Sequence, residues 1–147
     1  MTLKERITED MKAAMRARDT VRLDAIRLLR AAVQRKEVDD RAELDDRGVL
    51  QVVHKLLKQS ADAADQFARG DRKDLAEKEQ AGAAILQAYL PEPLSDADLD
   101  QAVRDALAES GADSMKDMGR VMALVKNRVE GRADMKRVSD KVRSLLQ

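Results

Sequence analysis

The chain has 147 residues, no cysteine, and 28 basic against 28 acidic side chains, so its formal net charge is zero. These totals exclude a disulfide framework, a thiol nucleophile and Cys-based metal sites, and leave no global field to draw the chain onto a polyanion or a membrane. Ala, Leu, Arg, Lys, Glu and Met together make up more than half of the chain, aromatics are limited to Phe67 and Tyr89, and the Val and Ile residues stand at helical spacing. The expected class is all-α, because Ala and straight-chain residues lose little entropy in a helix. No apolar run approaches the roughly 20 residues of a transmembrane helix. The opening stretch MTLKERITEDMKAAMRARD mixes acids with bases and does not resemble a signal peptide. A Cys-free chain fits a reducing compartment, and the expected location is the cytoplasm.

Seven helices are expected in chain order. Thr2 and Glu5 form a capping box for the first, with Leu3, Ile7, Met11 and Met15 on one face and an end near Arg18. Thr20 is expected to cap the second, whose stripe is Val21, Ala25, Leu28, Leu29, Ala32 and Val33 and which fades at Glu37. The polar stretch EVDDRAELDDRG follows as a loop or frayed turn. A long third helix runs from about Asp46 to Ala68 behind Val49, Val52, Val53, Leu56, Leu57, Ala61, Ala64 and Phe67. Gly70 reads as its stop and Asp71 as the next cap. The fourth helix runs from about Arg72 to Tyr89 and contains Gly82, which costs about 1 kcal/mol relative to Ala and suggests a close helix crossing.

Pro91 and Pro93 then interrupt any helix, because each lacks an N–H and constrains the residue before it. They divide an expected four-helix domain, residues 1–90, from an expected three-helix domain, residues 94–147. In the second part Ser95 and Asp98 cap a helix that Gly111 stops. Ser114 caps the sixth helix, and Gly131 precedes a seventh from about Ala133 to Leu146.

Familiar chemistry finds little foothold. His54, the only histidine, has no second His or Cys to join it in a zinc site and reads as a helix-edge packing residue. Asp96, Asp98 and Asp100 mimic half a calcium loop, but Gln101 and Leu107 stand where Gly and Glu are required, so they read as acids at a helix N-terminus. Asp39–Asp40 and Asp45–Asp46 read as a solvated loop, and Arg69-Gly70-Asp71 as stop, turn and cap. There is no phosphate loop, nucleophile elbow or HExxH pair. No catalytic residue, cofactor, metal or small-molecule substrate is expected.

The placement of charge is more informative than its total. Residues 1–42 hold 11 basic and 8 acidic side chains, residues 43–114 hold 8 and 16, and residues 115–147 hold 9 and 4. The basic tail reads either as a solvated face or as a phosphate-facing surface, in which Arg and Lys side chains flank a Gly turn and free N–H groups at a helix N-terminus. With no surface aromatics for base stacking, the target is the backbone of a structured RNA.

The order and spacing of LKERITEDMKAAMRARDTVRLDAIRLLRAAVQRKEVD, VVHKLLKQSADAADQFARGDRKDLAEKE, ILQAYLPEPLS and DMGRVMALVKNRVEGRADMKRVSDKVRSLL resemble the GatB/YqeY family across essentially the whole chain. The resemblance implies that the C-terminal part is similar to the helical tail of the B subunit of aspartyl/glutamyl-tRNA amidotransferase. That tail engages tRNA while the kinase-like and amidase sites lie in other domains. A family label of carbon–nitrogen ligase with glutamine as amido-N-donor is therefore expected to be inherited rather than performed. The chain departs from the pattern at Ser60, near Gly82, and at Met135, where Gly is frequent. The expected function is a non-catalytic tRNA-binding accessory module whose partner is tRNA or a tRNA-associated protein. Its expected contacts are Lys126, Arg128, Arg132, Lys136 and Arg137. The alternatives are a protein adaptor using Met118, Met122 and Met135, and a stand-alone amidotransferase.

Overall fold

The computed structural model describes residues 1–129 and 131–147, and among these every regular element is helical. The chain divides into two compact units, Met1–Leu90 and Pro91–Gln147.

In the first unit, α1 (Leu3–Ala17) begins at the expected capping box: the Glu5 N–H donates to Thr2 Oγ1 at 3.2 Å, and the Thr2 N–H to Glu5 Oε2 at 3.1 Å. Helix α2 (Thr20–Asp40) is capped by Asp19 rather than Thr20, its carboxylate accepting from the Arg22 N–H at 3.2 Å. It also runs past the expected fade at Glu37. The reason is tertiary: the Glu37 carboxylate accepts from Lys4 Nζ on α1 and from the Leu44 N–H, both at 2.8 Å. These bonds hold the Glu37 carboxyl below its ordinary pKa, Lys4 first and the Leu44 N–H second. Asp39 and Asp40 consequently lie in the last turn of α2, not in a loop.

Helix α3 (Asp46–Arg69) is capped by Asp45 and buries Val49, Val52, Val53, Leu56 and Ala64 of its expected stripe. The next turn differs from expectation. Gly70 has an ordinary φ of −86°, and Asp71 takes the left-handed φ of 59°, a conformation Asp tolerates better than most residues. Asp71 therefore caps nothing, and α4 (Lys73–Gln87) starts after Arg72 with no side-chain cap bond. The close crossing expected at Gly82 is also absent, since a Cβ built there meets nothing within 4 Å.

The core of this unit centres on Ile26, Leu29, Val49, Val53 and Leu86, all at most 1% exposed. Burying each such side chain contributes about 1.5–3 kcal/mol. Tyr89 closes the unit: its hydroxyl donates to Asp10 Oδ2 at 2.6 Å, and Arg6 lies 4.8 Å from its ring centre. Burial, then the bond to Asp10, pushes the Tyr89 hydroxyl far above its ordinary pKa.

In the second unit, Ser95 caps α5 (Asp96–Ser110) by accepting from the Asp98 N–H at 3.1 Å, and Gly111 ends it at φ 67°. Ser114 makes no side-chain cap bond; a single 3-10 turn, Met115–Asp117, leads into α6 (Met118–Val129). Gly131 turns the chain at φ 79°. Helix α7 (Met135–Leu146) begins later than Ala133 because Asp134 is its cap. Leu99, Val103, Val121, Val125, Val138 and Val142 form the core of this unit.

Candidate nucleic-acid interface

The five expected contacts lie on α6, on α7 and in the turn joining them, but they do not form one free basic surface. The proline-bearing segment before α5 explains two of them. Pro91 and Pro93 prevent this segment from joining a helix, so its carbonyls need donors from elsewhere. Arg132 Nε donates to the Glu92 carbonyl at 3.0 Å, and Arg137 Nη1 donates to the Leu94 carbonyl at 2.9 Å. The Leu94 N–H in turn donates to the Arg132 carbonyl at 2.9 Å. Arg137 Nη2 reaches Asp96 Oδ1 at 2.7 Å as well. Arg132 and Arg137 thus hold the start of α5 against the α6–α7 turn.

Arg128 is ion-paired with Glu109 of α5. Lys126 and Lys136 are exposed, and neither has an acidic partner among the described residues. They bracket the Gly131 turn, one near the end of α6 and the other in the first turn of α7. Arg143 is exposed too and lies seven residues after Lys136, on the same side of α7.

Much of the basic tail neutralises its own unit. Beyond Arg128 and Arg137, Arg120 pairs with Asp117 at 3.0 Å, and Lys141 approaches Asp100 at 3.6 Å. Pro91–Gln147 holds ten Lys and Arg against eleven Asp and Glu, so the tail's excess is answered mainly by the acids of α5. Asp96 is held below the usual carboxylate range by its hydrogen bond to Arg137, and Asp100 by its bond to Arg104 with help from Lys141. The groove beside α7, about 440 Å³, sets Asp96, Asp134 and Asp140 against Lys136, Arg137 and Lys141. It is a balanced surface rather than a phosphate cradle.

One of the N–H groups expected to be free at the start of α7 is already taken. Asp134 Oδ1 accepts from the Arg137 N–H at 2.9 Å, so the chain's own carboxylate occupies the place an anion would take. The methionines of the adaptor alternative serve packing: Met118, Met122 and Met135 are partly buried against the core of the second unit. His54 is half-buried on α3. Among the described residues no group of His, Asp and Glu is arranged to hold a metal, and no helix is long and apolar enough to cross a membrane.

Arg132 and Arg137, expected as outward contacts, also bond inward to the segment before α5. One signal was present: the acid-rich start of α5 and the basic tail carry opposite charge within one small unit.

Comparison with known proteins supplies the family. A family model described as Yqey-like protein matches residues 4–146, and the chain belongs to that family. It is 30% identical over 144 residues to "Altered inheritance of mitochondria protein 41, mitochondrial" of Pyrenophora tritici-repentis, covering 96% of this chain and 79% of that protein. A protein of the same name from Lachancea thermotolerans is 33% identical over 106 residues, covering 70% of this chain and 57% of the relative. The Saccharomyces cerevisiae protein is 33% identical over 101 residues, covering 67% and 55%. The chain thus spans little more than half the length of these last two relatives. Their names correct the cytoplasmic expectation, since they point to mitochondria instead. The expectation rested on missing cysteines, and a chain without thiols does not report its compartment.

Proposed function

We propose that this YqeY-like chain is a non-catalytic module that binds the phosphate backbone of folded tRNA through its second unit. The observation that carries the reading is the exposed pair Lys126 and Lys136 on either side of a turn that Arg132 and Arg137 hold in place. The resemblance of this part to the tRNA-engaging tail of the amidotransferase B subunit supports the same reading. Lys126 and Lys136 make the contacts, Arg143 extends them along α7, and Arg128 joins them on leaving Glu109. Arg132 and Arg137 position the surface. With so few free cations the binding is modest and steeply salt-dependent, since each phosphate neutralised releases about one counterion.

Titration of the purified chain with total tRNA and with a duplex DNA control, at about 50 and about 200 mM salt, tests this. Salt-sensitive binding that prefers tRNA is expected. Absence of binding at the lower salt would return the basic tail to charge balance within its own unit.

A further inference from the structure

We infer that the first unit pairs two copies of this chain through an apolar groove between α2 and α4. The groove, about 280 Å³, is lined by Val21 and Leu28 of α2, by Phe67 of α3, and by Leu75, Gly82 and Leu86 of α4. Two independent observations mark it. Val21 and Leu28 are 52% and 55% exposed, although both belong to the apolar stripe of α2 and stand seven residues apart on one side of it. Across from them, Gly82 lies inside α4, where glycine weakens a helix. Its φ is not left-handed, and apart from its chain neighbours and the surrounding backbone of α4 nothing lies within 4 Å of the Cβ it lacks. Neither turn geometry nor internal packing accounts for this glycine, whereas close approach of a second molecule does.

The occupant is argued from the patch itself. It carries apolar knobs, Val21 and Leu28, beside the notch over Gly82, so a two-fold pairing places the knobs of each copy in the notch of the other. The rim has both signs, Asp24 and Glu79 with Lys78. Lysine of one copy can then meet an acid of the other, whereas a uniformly basic or acidic partner would meet a like charge. The patch is small beside the roughly 1,200–2,000 Å² of a stable interface, so the pairing depends on concentration.

Sedimentation of the full chain from about 5 to about 500 µM tests this, a range that brackets a dissociation constant of about 50 µM. The expected result is a shift from monomer toward dimer as concentration rises. Gly82→Leu fills the notch and Leu28→Glu removes a knob; both are expected to weaken pairing at least about tenfold. Gly82→Leu is also expected to raise the melting temperature at the lowest concentration, because leucine is the better helix former, which separates lost pairing from lost folding. A chain that stays monomeric throughout overturns the inference and leaves the groove to a different partner. So does a well-folded Gly82→Leu variant that pairs as tightly as the parent.

Discussion

Arg137 and Leu94 lie 43 residues apart, yet the guanidinium of one donates to the carbonyl of the other at 2.9 Å. Pro93 precedes Leu94, and a segment with two prolines has few ways to satisfy its backbone locally. An arginine from the last helix supplies the donor. The same side chain pairs with Asp96 at the positive end of α5. A residue that resembles a phosphate contact in the sequence is a strut between the two ends of its unit.

Replacing Arg137 with Ala is therefore expected to destabilise the second unit, by about 1–2 kcal/mol from the carbonyl bond alone. The exposed contact with Asp96 adds little. Lys136→Ala, one residue away and exposed, should change stability by less than about 0.5 kcal/mol. Denaturant unfolding of the two variants checks the contrast; equal effects would remove the strut from the account.

Acid should weaken the second unit through the same contacts. Asp96 is held below its ordinary pKa by Arg137, and Asp100 by Arg104 and Lys141. A carboxylate with a depressed folded pKa contributes stability above its unfolded value and loses it as pH falls through the folded value. The loss is expected below about pH 4, the ordinary aspartate range. Asp96→Asn and Asp100→Asn variants should show a flatter decline there, measured by melting temperature against pH.

Each unit has a separate core, and cavities should report on them separately. Leu29 and Leu99 are at most 1% exposed in the first and second cores. Leu29→Ala and Leu99→Ala should each cost about 2–5 kcal/mol. Hydrogen exchange should show protection falling in α1–α4 for the first variant and in α5–α7 for the second. Loss spread equally over α1–α7 by either variant would contradict two cores.

What the sequence makes legible follows from the range of each interaction. The Thr2–Glu5 box, the Ser95 cap and the stops at Gly111 and Gly131 are settled within a few residues, and all can be read from spacing. The extension of α2 beyond Glu37 cannot, because Lys4 is 33 residues away. The left-handed turn falls on Asp71 rather than Gly70, a choice local propensity does not make. The candidate site has the same division: the exposed lysines keep the place their spacing gives them, while Arg132 and Arg137 are claimed by backbone groups 40 or more residues distant.

The most direct test of the central claim is the salt dependence of tRNA affinity for the parent chain and for the Lys126→Ala, Lys136→Ala double variant. The account expects the variant to fold normally, bind tRNA more weakly, and show a log–log salt slope shallower by about two units, one for each lost phosphate contact. An unchanged affinity and slope would contradict the assignment of this surface to tRNA.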